Sequence, residues 1–193
     1  GLPGESLEQF ARGFDRLVAL GTAEIQVGIL KRLRGAPIVR HDDAWQVVWS
    51  DEPPYEIVQN RLLDFATLQR LKRFARVWDL VANRGNFPTT LEVMWEGEPS
   101  PFAAMLRFSE WLAPRVSLGG VALARLADLM LTYLCEERGR SREQVGARLA
   151  ADFVAPGRSV PTSLAPYVTD LQNGRRRDVA GVPARQARHL RDP

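Results

Sequence analysis

Few side chains in this sequence have the types and spacing that metal or covalent chemistry requires. The chain contains a single cysteine, Cys135, and two histidines, His41 and His189. An all-cysteine iron-sulfur site, a cysteine/histidine zinc site, a disulfide framework and a c-type haem attachment all need more of these residues. Any iron-sulfur or zinc chemistry would therefore take its ligands from outside this chain.

The most concentrated set of ligand-type side chains is the tripeptide His41-Asp42-Asp43. One histidine and two carboxylates can hold a metal ion, but adjacent residues converge on one ion only in an unusual loop. A solvated turn is the interpretation we favour, and no metal ligand is assigned. Phosphate-binding loops, dinucleotide fingerprints, nucleophile elbows and zinc-protease helices do not occur in the sequence.

The hexapeptide Gly-Leu-Pro-Gly-Glu-Ser at residues 1–6 directly precedes an amphipathic helix. Glycine permits close approach of a ligand to the backbone, and exposed strand-end amides can pair with the edge of an adenine. A tight turn before a helix explains the same residues without a ligand. Glu5 is likewise explained as a carboxylate that the helix dipole favours.

The elements around this hexapeptide form half of a β-α-β unit. Ser6 and Gln9 have the spacing of a capping box, and the helix that follows extends to about Gly21. Ile25, Val27 and Ile29 then alternate at period two, which predicts a strand. The first strand of such a unit would precede residue 1, so we expect the chain to be a fragment.

The rest of the chain is predicted to be mostly helical. Residues 38–61 form a connecting segment that could hold a small hairpin, and residues 62–156 show successive apolar stripes at helical spacing. Helices are predicted from about Asp64, over Thr90–Trp95, after the Ser100-Pro101 cap, from about Gly120 and after the Ser141/Gln144 cap. Residues 157–193 form an arginine-rich tail.

The positive charge of the chain is concentrated in this tail. The net charge is +3, and residues 175–193 hold six arginines against two aspartates. The remainder is close to neutral, so the body of the protein does not have the charge pattern of a nucleic-acid-binding surface. No apolar run approaches the roughly 20 residues that a membrane span needs. We expect a soluble, cytoplasmic protein with no membrane partner.

Several segments resemble radical S-adenosylmethionine enzymes. Residues 1–6 are similar to a Gly-Leu-Pro-Gly-Glu-Thr segment at the end of the fifth barrel strand, with Ser6 in place of threonine. Residues 29–38 resemble the loop after the last strand, with Ala36 in place of threonine. Residues 53–56, 64–80, 100–102 and 183–190 are similar to the helical C-terminal domain of unknown function in cobalamin-binding-domain members of that family.

The resemblance implies a fold, cofactors and a candidate site. Residues 1–37 would be the last βα unit of a partial (β/α) barrel, and residues 62–156 a helical C-terminal domain. The family binds S-adenosylmethionine and a 4Fe-4S cluster, often with a cobalamin domain, and it needs an electron donor. The cluster ligands and the cobalamin domain would lie outside this chain, which alone would be inactive. The candidate adenosyl-side residues are Leu2, Pro3, Gly4, Leu30 and Lys31.

An alternative function from another class stays open. The chain could be a stand-alone helical interaction module whose arginine-rich tail binds nucleic acid or an acidic partner, with an affinity that falls steeply with salt. The half β-α-β unit argues against it, because an isolated strand leaves its backbone groups unpaired. Neither the substrate nor the reaction type follows from the sequence.

Overall fold

The computed structural model describes residues 1–168, and this part of the chain is mostly helical, as predicted. The elements, in chain order, are α1 (Leu7–Ala19), α2 (Asp42–Trp45), β1 (Val48–Trp49), β2 (Ile57–Gln59), α3 (Phe65–Trp78), α4 (Pro88–Trp95), α5 (Pro101–Leu112), α6 (Leu123–Thr132) and α7 (Arg142–Val154). Short 3-10 helices cover Pro37–His41 and Thr162–Tyr167, and π-helical turns at Asp79–Asn83 and Tyr133–Glu137 extend α3 and α6. Most of the predicted tail lies outside the described residues.

Helix starts follow the local signals in the sequence. The Ser6 side chain accepts a hydrogen bond from the Gln9 amide, and the Gln9 side chain accepts one from the Ser6 amide. Ser100 and Ser141 each cap the helix that follows them, α5 and α7. The three predicted caps are therefore confirmed, because each side-chain oxygen satisfies a first-turn amide that has no partner within its helix.

An aromatic cluster joins α1 to the central helices α3 and α5. The Phe14 ring lies 5.0 Å from the Phe74 ring and 4.7 Å from the Trp78 ring, both at steep angles. Phe102 packs 4.9 Å from Phe74. Edge-to-face contacts of this kind add to the free energy gained by burying the rings. Residues 1–37 consequently share one apolar core with the helical segment.

The predicted strand at residues 25–29 does not form a paired strand. Its side chains alternate as expected, with Ile25 buried and Gln26 and Gly28 exposed, but the segment joins no sheet formed by residues 1–168. Only Lys31 forms an isolated antiparallel bridge, to Glu56. Alternating apolar and polar residues indicate an extended backbone with one buried side. A β-strand also needs a neighbouring strand that pairs with its backbone amides and carbonyls. That part of the prediction was wrong.

The predicted hairpin is present in a shorter form. β1 and β2 pair antiparallel, with Val48 opposite Gln59 and Trp49 opposite Ile57. Trp45, which the pattern placed in an extended run, instead ends α2. The chain changes direction between α2 and β1 at Gln46, whose φ is 50°. The extended backbone of β1 therefore begins only after this left-handed residue.

The last helices are joined by side chains that are distant in sequence. Asp152 of α7 accepts hydrogen bonds from the amides and hydroxyls of Thr89 and Thr90, at 2.7 to 3.1 Å, and so caps α4. The Tyr167 ring lies against Gly146, where an added Cβ would come within 2.5 Å of it.

Among residues 1–168, no helix is both long and apolar enough to cross a bilayer.

Candidate functional site

A cavity lies in a groove between α1 and the extended segment that follows it. Its volume is about 860 Å³, within the range of small-molecule sites. The side chains that line it are mostly apolar and include Leu2, Phe10, Phe14, Leu17, Leu20, Val27, Ile29, Leu30 and Leu33. The charged residues at its wall are Glu5, Arg16 and Lys31. This "α1 groove" is the candidate site.

The extended segment on one side of the α1 groove is anchored at both ends. The Ile25 amide donates to Asn83 Oδ1 at 3.1 Å, and the Ile25 carbonyl accepts from Trp78 Nε1 and Asn83 Nδ2, both at 3.0 Å. At the other end the Ile57 amide donates to the Leu30 carbonyl at 2.9 Å. Both anchors come from the helical part of the chain or from the hairpin, so those elements set the position of the segment.

Between these anchors the backbone is free. Within residues 1–168, no amide or carbonyl of residues 26–29 takes part in a hydrogen bond. The groove lining includes all four of these residues. An extended backbone with unpaired groups on an apolar groove can accept a further strand or the hydrogen-bonding edge of a ligand.

The loop before α1 is held by close backbone packing. An added Cβ at Gly1 would lie 2.8 Å from Ile57 Cγ2, and the Gly1 carbonyl accepts from Asn60 Nδ2 at 3.2 Å. Gly4 has a φ of 86° and faces the Trp45 indole, which an added Cβ would approach to 3.4 Å. Glycine is required at Gly4 because other residues rarely adopt this backbone conformation.

The predicted site residues are divided by the structure. Leu2, Leu30 and Lys31 line the α1 groove, whereas Pro3 and Gly4 lie in the same loop but not among the lining residues. The conformation of Gly4 is explained by the turn and by its contact with Trp45. No ligand contact tests the adenosyl role of any of the five, which stays a prediction.

Sequence reasoning missed two groups of lining residues. Leu17 and Leu20 are 42% and 75% exposed although they belong to, or directly follow, an amphipathic helix. These two leucines could have been found from the sequence, because the apolar stripe of α1 is wider than packing against a single neighbour needs. The second group is the free backbone of residues 26–29, which no side-chain pattern reveals.

The ligand-type side chains form no metal centre in the described part of the chain. Across residues 1–168 no three His, Cys, Asp or Glu side chains come together in a way that could hold an ion. Asp42 Oδ2 instead accepts from Trp49 Nε1 at 3.0 Å. The Cys135 thiol is half-buried, and this burial raises its pKa, so the reactive thiolate is disfavoured at neutral pH.

Comparison with known families bears on the helical part of the chain. The family model described as "Protein of unknown function (DUF4080)" matches residues 43–175, more than half of the chain. The protein belongs to the DUF4080 family. No curated protein and no solved structure matches it significantly.

The DUF4080 match begins after the groove-lining residues, which all lie within residues 1–33. The α1 groove therefore lies on a segment that precedes the DUF4080 region and packs onto it. Two contacts make this attachment specific: Asp15 of α1 accepts from Ser100 Oγ at 2.6 Å and from the Phe102 amide at 2.7 Å. DUF4080 elements thus position the candidate site.

Proposed function

We propose that the chain is the C-terminal part of a radical S-adenosylmethionine enzyme. In this proposal residues 1–33 form one side of the active site, and the DUF4080 helices hold them in place. The family supports the proposal, because DUF4080 is a domain found in cobalamin and radical S-adenosylmethionine proteins. The resemblance of residues 1–6 and 29–38 to strand-end segments of that barrel supports it independently.

The single observation that carries the proposal is the free backbone of residues 26–29 beside the α1 groove. In a (β/α) barrel each strand pairs with a neighbour on both sides, and its helix packs outside the strands. Here α1 and the extended segment that follows it border one groove. Within the described part of the chain the backbone groups of residues 26–29 are unpaired there, and apolar side chains of both elements line the same groove. A further strand with its helix would satisfy the backbone groups and cover exposed leucines such as Leu20 and Leu33.

The α1 groove has the lining that an adenosyl group would need. Leu2 and Leu30 offer apolar contact to the purine and ribose, and free amides and carbonyls offer partners to the adenine edge. Lys31, at the wall, carries a charge suited to the carboxylate of an amino acid. When bound and reduced, S-adenosylmethionine supplies a 5′-deoxyadenosyl radical; the residues of this chain would bind and orient it and exclude water.

The residues described here do not fit a 4Fe-4S cluster. Such a cluster takes thiolate ligands, and Cys135 is the single cysteine of the whole chain, half-buried at the end of α6. The proposal therefore assigns the cluster, an electron donor and any cobalamin to other parts of a longer protein or to partners. The substrate is left unassigned.

The first test reads the coding DNA upstream of residue 1 in the same frame. The proposal expects an open frame that encodes Cys-x3-Cys-x2-Cys. The longer protein, purified without oxygen and given S-adenosylmethionine and a strong reductant, should then release 5′-deoxyadenosine. A stop codon followed by a start codon near residue 1 would contradict the proposal.

A matched pair of variants in the longer protein tests the role of the α1 groove. Leu2 and Leu62 are 52% and 43% exposed, but only Leu2 lines the groove. Leu2→Ser should weaken S-adenosylmethionine binding about tenfold, the effect expected for losing between one and two kcal/mol of apolar contact. Leu62→Ser should leave binding unchanged. Equal effects of the two substitutions would remove the groove from the proposal while leaving the enzyme class intact.

A further inference from the structure

A second cavity lies where the end of α3, the start of α6 and the chain after α7 meet. It has a volume of about 180 Å³ and shares no lining residue with the α1 groove. The residues around it are Leu80, Arg84, Asn86, Val121, Leu123, Leu126 and Arg158. Two of the seven are arginines and none is acidic, so the lining carries positive charge.

Arg158 is fixed in place by the end of α7. Gly157 has a φ of 76° and reverses the chain, and the Arg158 amide donates to the Phe153 carbonyl at 2.9 Å. This is the Schellman pattern, which closes a helix and sets the direction of the residue after the glycine. The Arg158 backbone is thereby held beside the cavity that this residue lines.

One nitrogen of the Arg158 guanidinium is buried without a partner. Nη1 is inaccessible to solvent, and within residues 1–168 it forms no hydrogen bond and Arg158 forms no ion pair. Burying an unpaired donor on a charged group costs free energy that a bound acceptor would recover. This donor is therefore available to an acceptor bound in the cavity.

Arg84 brings a second guanidinium to the same cavity. Its Nε donates to Asp79 Oδ2 at 3.1 Å and its Nη2 lies 3.0 Å from the same oxygen, which leaves Nη1 for another acceptor. Asp79 also pairs with Arg76, so one carboxylate is shared between two arginines. The positive charge at this place exceeds the negative charge that faces it.

The start of α6 adds backbone donors to the lining. The residue at its N-cap is Ala122, which has no side-chain oxygen, and the flanking Val121 and Leu123 line the cavity. First-turn amides of a ten-residue helix have no partner within the helix, and the helix dipole favours an anion there. These amides complement the two guanidinium groups.

We propose that this cavity binds a phosphate-sized oxyanion, either free phosphate or the phosphoryl group of a small monoester, through Arg158 and Arg84. A guanidinium presents parallel donors that match two oxygens of a phosphate. Donors approach from three elements, which suits a tetrahedral anion better than a planar carboxylate. The Asn86 amide nitrogen donates one of its two N–H groups to the Leu80 carbonyl at 3.1 Å, so the two arginines are the charged donors of the site.

Calorimetric titration of the full chain with inorganic phosphate at constant ionic strength tests the proposal. Arg158→Gln should weaken phosphate binding at least about tenfold, as expected for losing a charge-assisted hydrogen bond, and Arg84→Gln should weaken it severalfold. Arg115→Gln is the matched control, because Arg115 is an exposed arginine that packs over the Trp111 ring and lies outside the cavity. The control should bind phosphate as the unchanged chain does.

A second titration separates the two sources of the phosphoryl group. Glycerol 3-phosphate should bind at least as tightly as inorganic phosphate if a monoester is the ligand, and more weakly if free phosphate is. If Arg158→Gln does not fold, Arg158→Lys takes its place in the titration, because lysine keeps the positive charge but lacks the parallel N–H donors of the guanidinium group. The proposal is overturned if the unchanged chain binds neither anion, or if Arg115→Gln and Arg158→Gln reduce binding equally.

Discussion

At the scale of single residues, Glu98 joins three segments of the helical domain. It lies between α4 and α5 and pairs with Arg107 of α5 and with Arg138, which follows α6. Its side chain is only 9% exposed. The hydrogen bond from Arg107 is the largest cause that lowers the pKa of the Glu98 carboxyl, and the charge of Arg138 adds to it. Glu98 is thus held in its ionised form.

This lowered pKa predicts an acid-dependent loss of stability. A carboxyl whose pKa is lower in the folded state stabilises the fold above its unfolded pKa, about 4.3 for glutamate, and this contribution is lost as the pH falls through the folded value. Glu98→Gln should therefore be clearly less stable than the unchanged chain at pH 7. The gap should narrow as the pH falls below about 4. Urea denaturation at a series of pH values measures it.

Glu96 supplies the control for this experiment. Its side chain is 66% exposed and its nearest guanidinium nitrogen, on Arg140, is 3.8 Å away, so the ion pair is weak. Glu96→Gln should change stability little at any pH. A Glu98→Gln gap that stays constant from pH 7 to pH 3 would show that the carboxylate charge is not what stabilises the fold.

At the scale of elements, α1 is attached to the helical domain through the start of α5. Asp15 accepts from the Ser100 hydroxyl and the Phe102 amide, while Ser100 itself accepts from the Ala103 amide. The two side chains together satisfy first-turn amides of α5. The same contact fixes α1, and with it one wall of the α1 groove.

Removing this cap should loosen α1 and destabilise the protein. Asp15→Ala loses both hydrogen bonds and should lower the free energy of unfolding by about 1 to 2 kcal/mol. Asp15→Asn keeps one acceptor oxygen and should lose less. Chemical denaturation followed by far-ultraviolet circular dichroism measures both variants.

Asp51 is the matched control for Asp15. It is an exposed aspartate whose carboxylate accepts no hydrogen bond from the described residues. Asp51→Ala should leave the free energy of unfolding nearly unchanged. If Asp15→Ala is no less stable than Asp51→Ala, the cap does not hold α1 in place.

At the scale of the whole molecule, the segment before the DUF4080 region and the DUF4080 helices share a core. Phe14 is 3% exposed and contacts rings from α3 and α5. Trp78 of α3 also donates to the Ile25 carbonyl, so the extended segment is held by the same helices. Elements that share buried contacts are expected to unfold together.

Phe14→Ala should therefore destabilise the whole described fold and not only its first helix. Replacing a buried phenylalanine by alanine typically costs about 3 to 5 kcal/mol. Tryptophan fluorescence and circular dichroism should report one coincident transition at lower denaturant. Leu17→Ala, on the exposed face of the same helix, should cost less than about 1 kcal/mol. An early, separate transition in Phe14→Ala would contradict the shared core.

Much of the fold was predictable because its signals are local. The caps at Ser6, Ser100 and Ser141 and the apolar stripes of α3, α5 and α6 each depend on residues three or four positions apart. Gly139, with a φ of 62°, follows the π-helical turn that extends α6, as is typical of a glycine just after a helix. Such signals predict a mostly helical chain without knowledge of any distant contact.

The candidate site was only partly predictable, because most of it is made by distant contacts. Leu2, Leu30 and Lys31 were placed from the sequence, but the walls of the α1 groove are positioned by distant contacts such as those of Asp15 with α5 and of Trp78 with Ile25. The side-chain alternation at residues 25–29 was a sequence property, whereas the absence of a pairing partner among the described residues was decided by the tertiary structure. Hydrogen-bond partners, unlike periodicity, depend on which elements the folded core brings together.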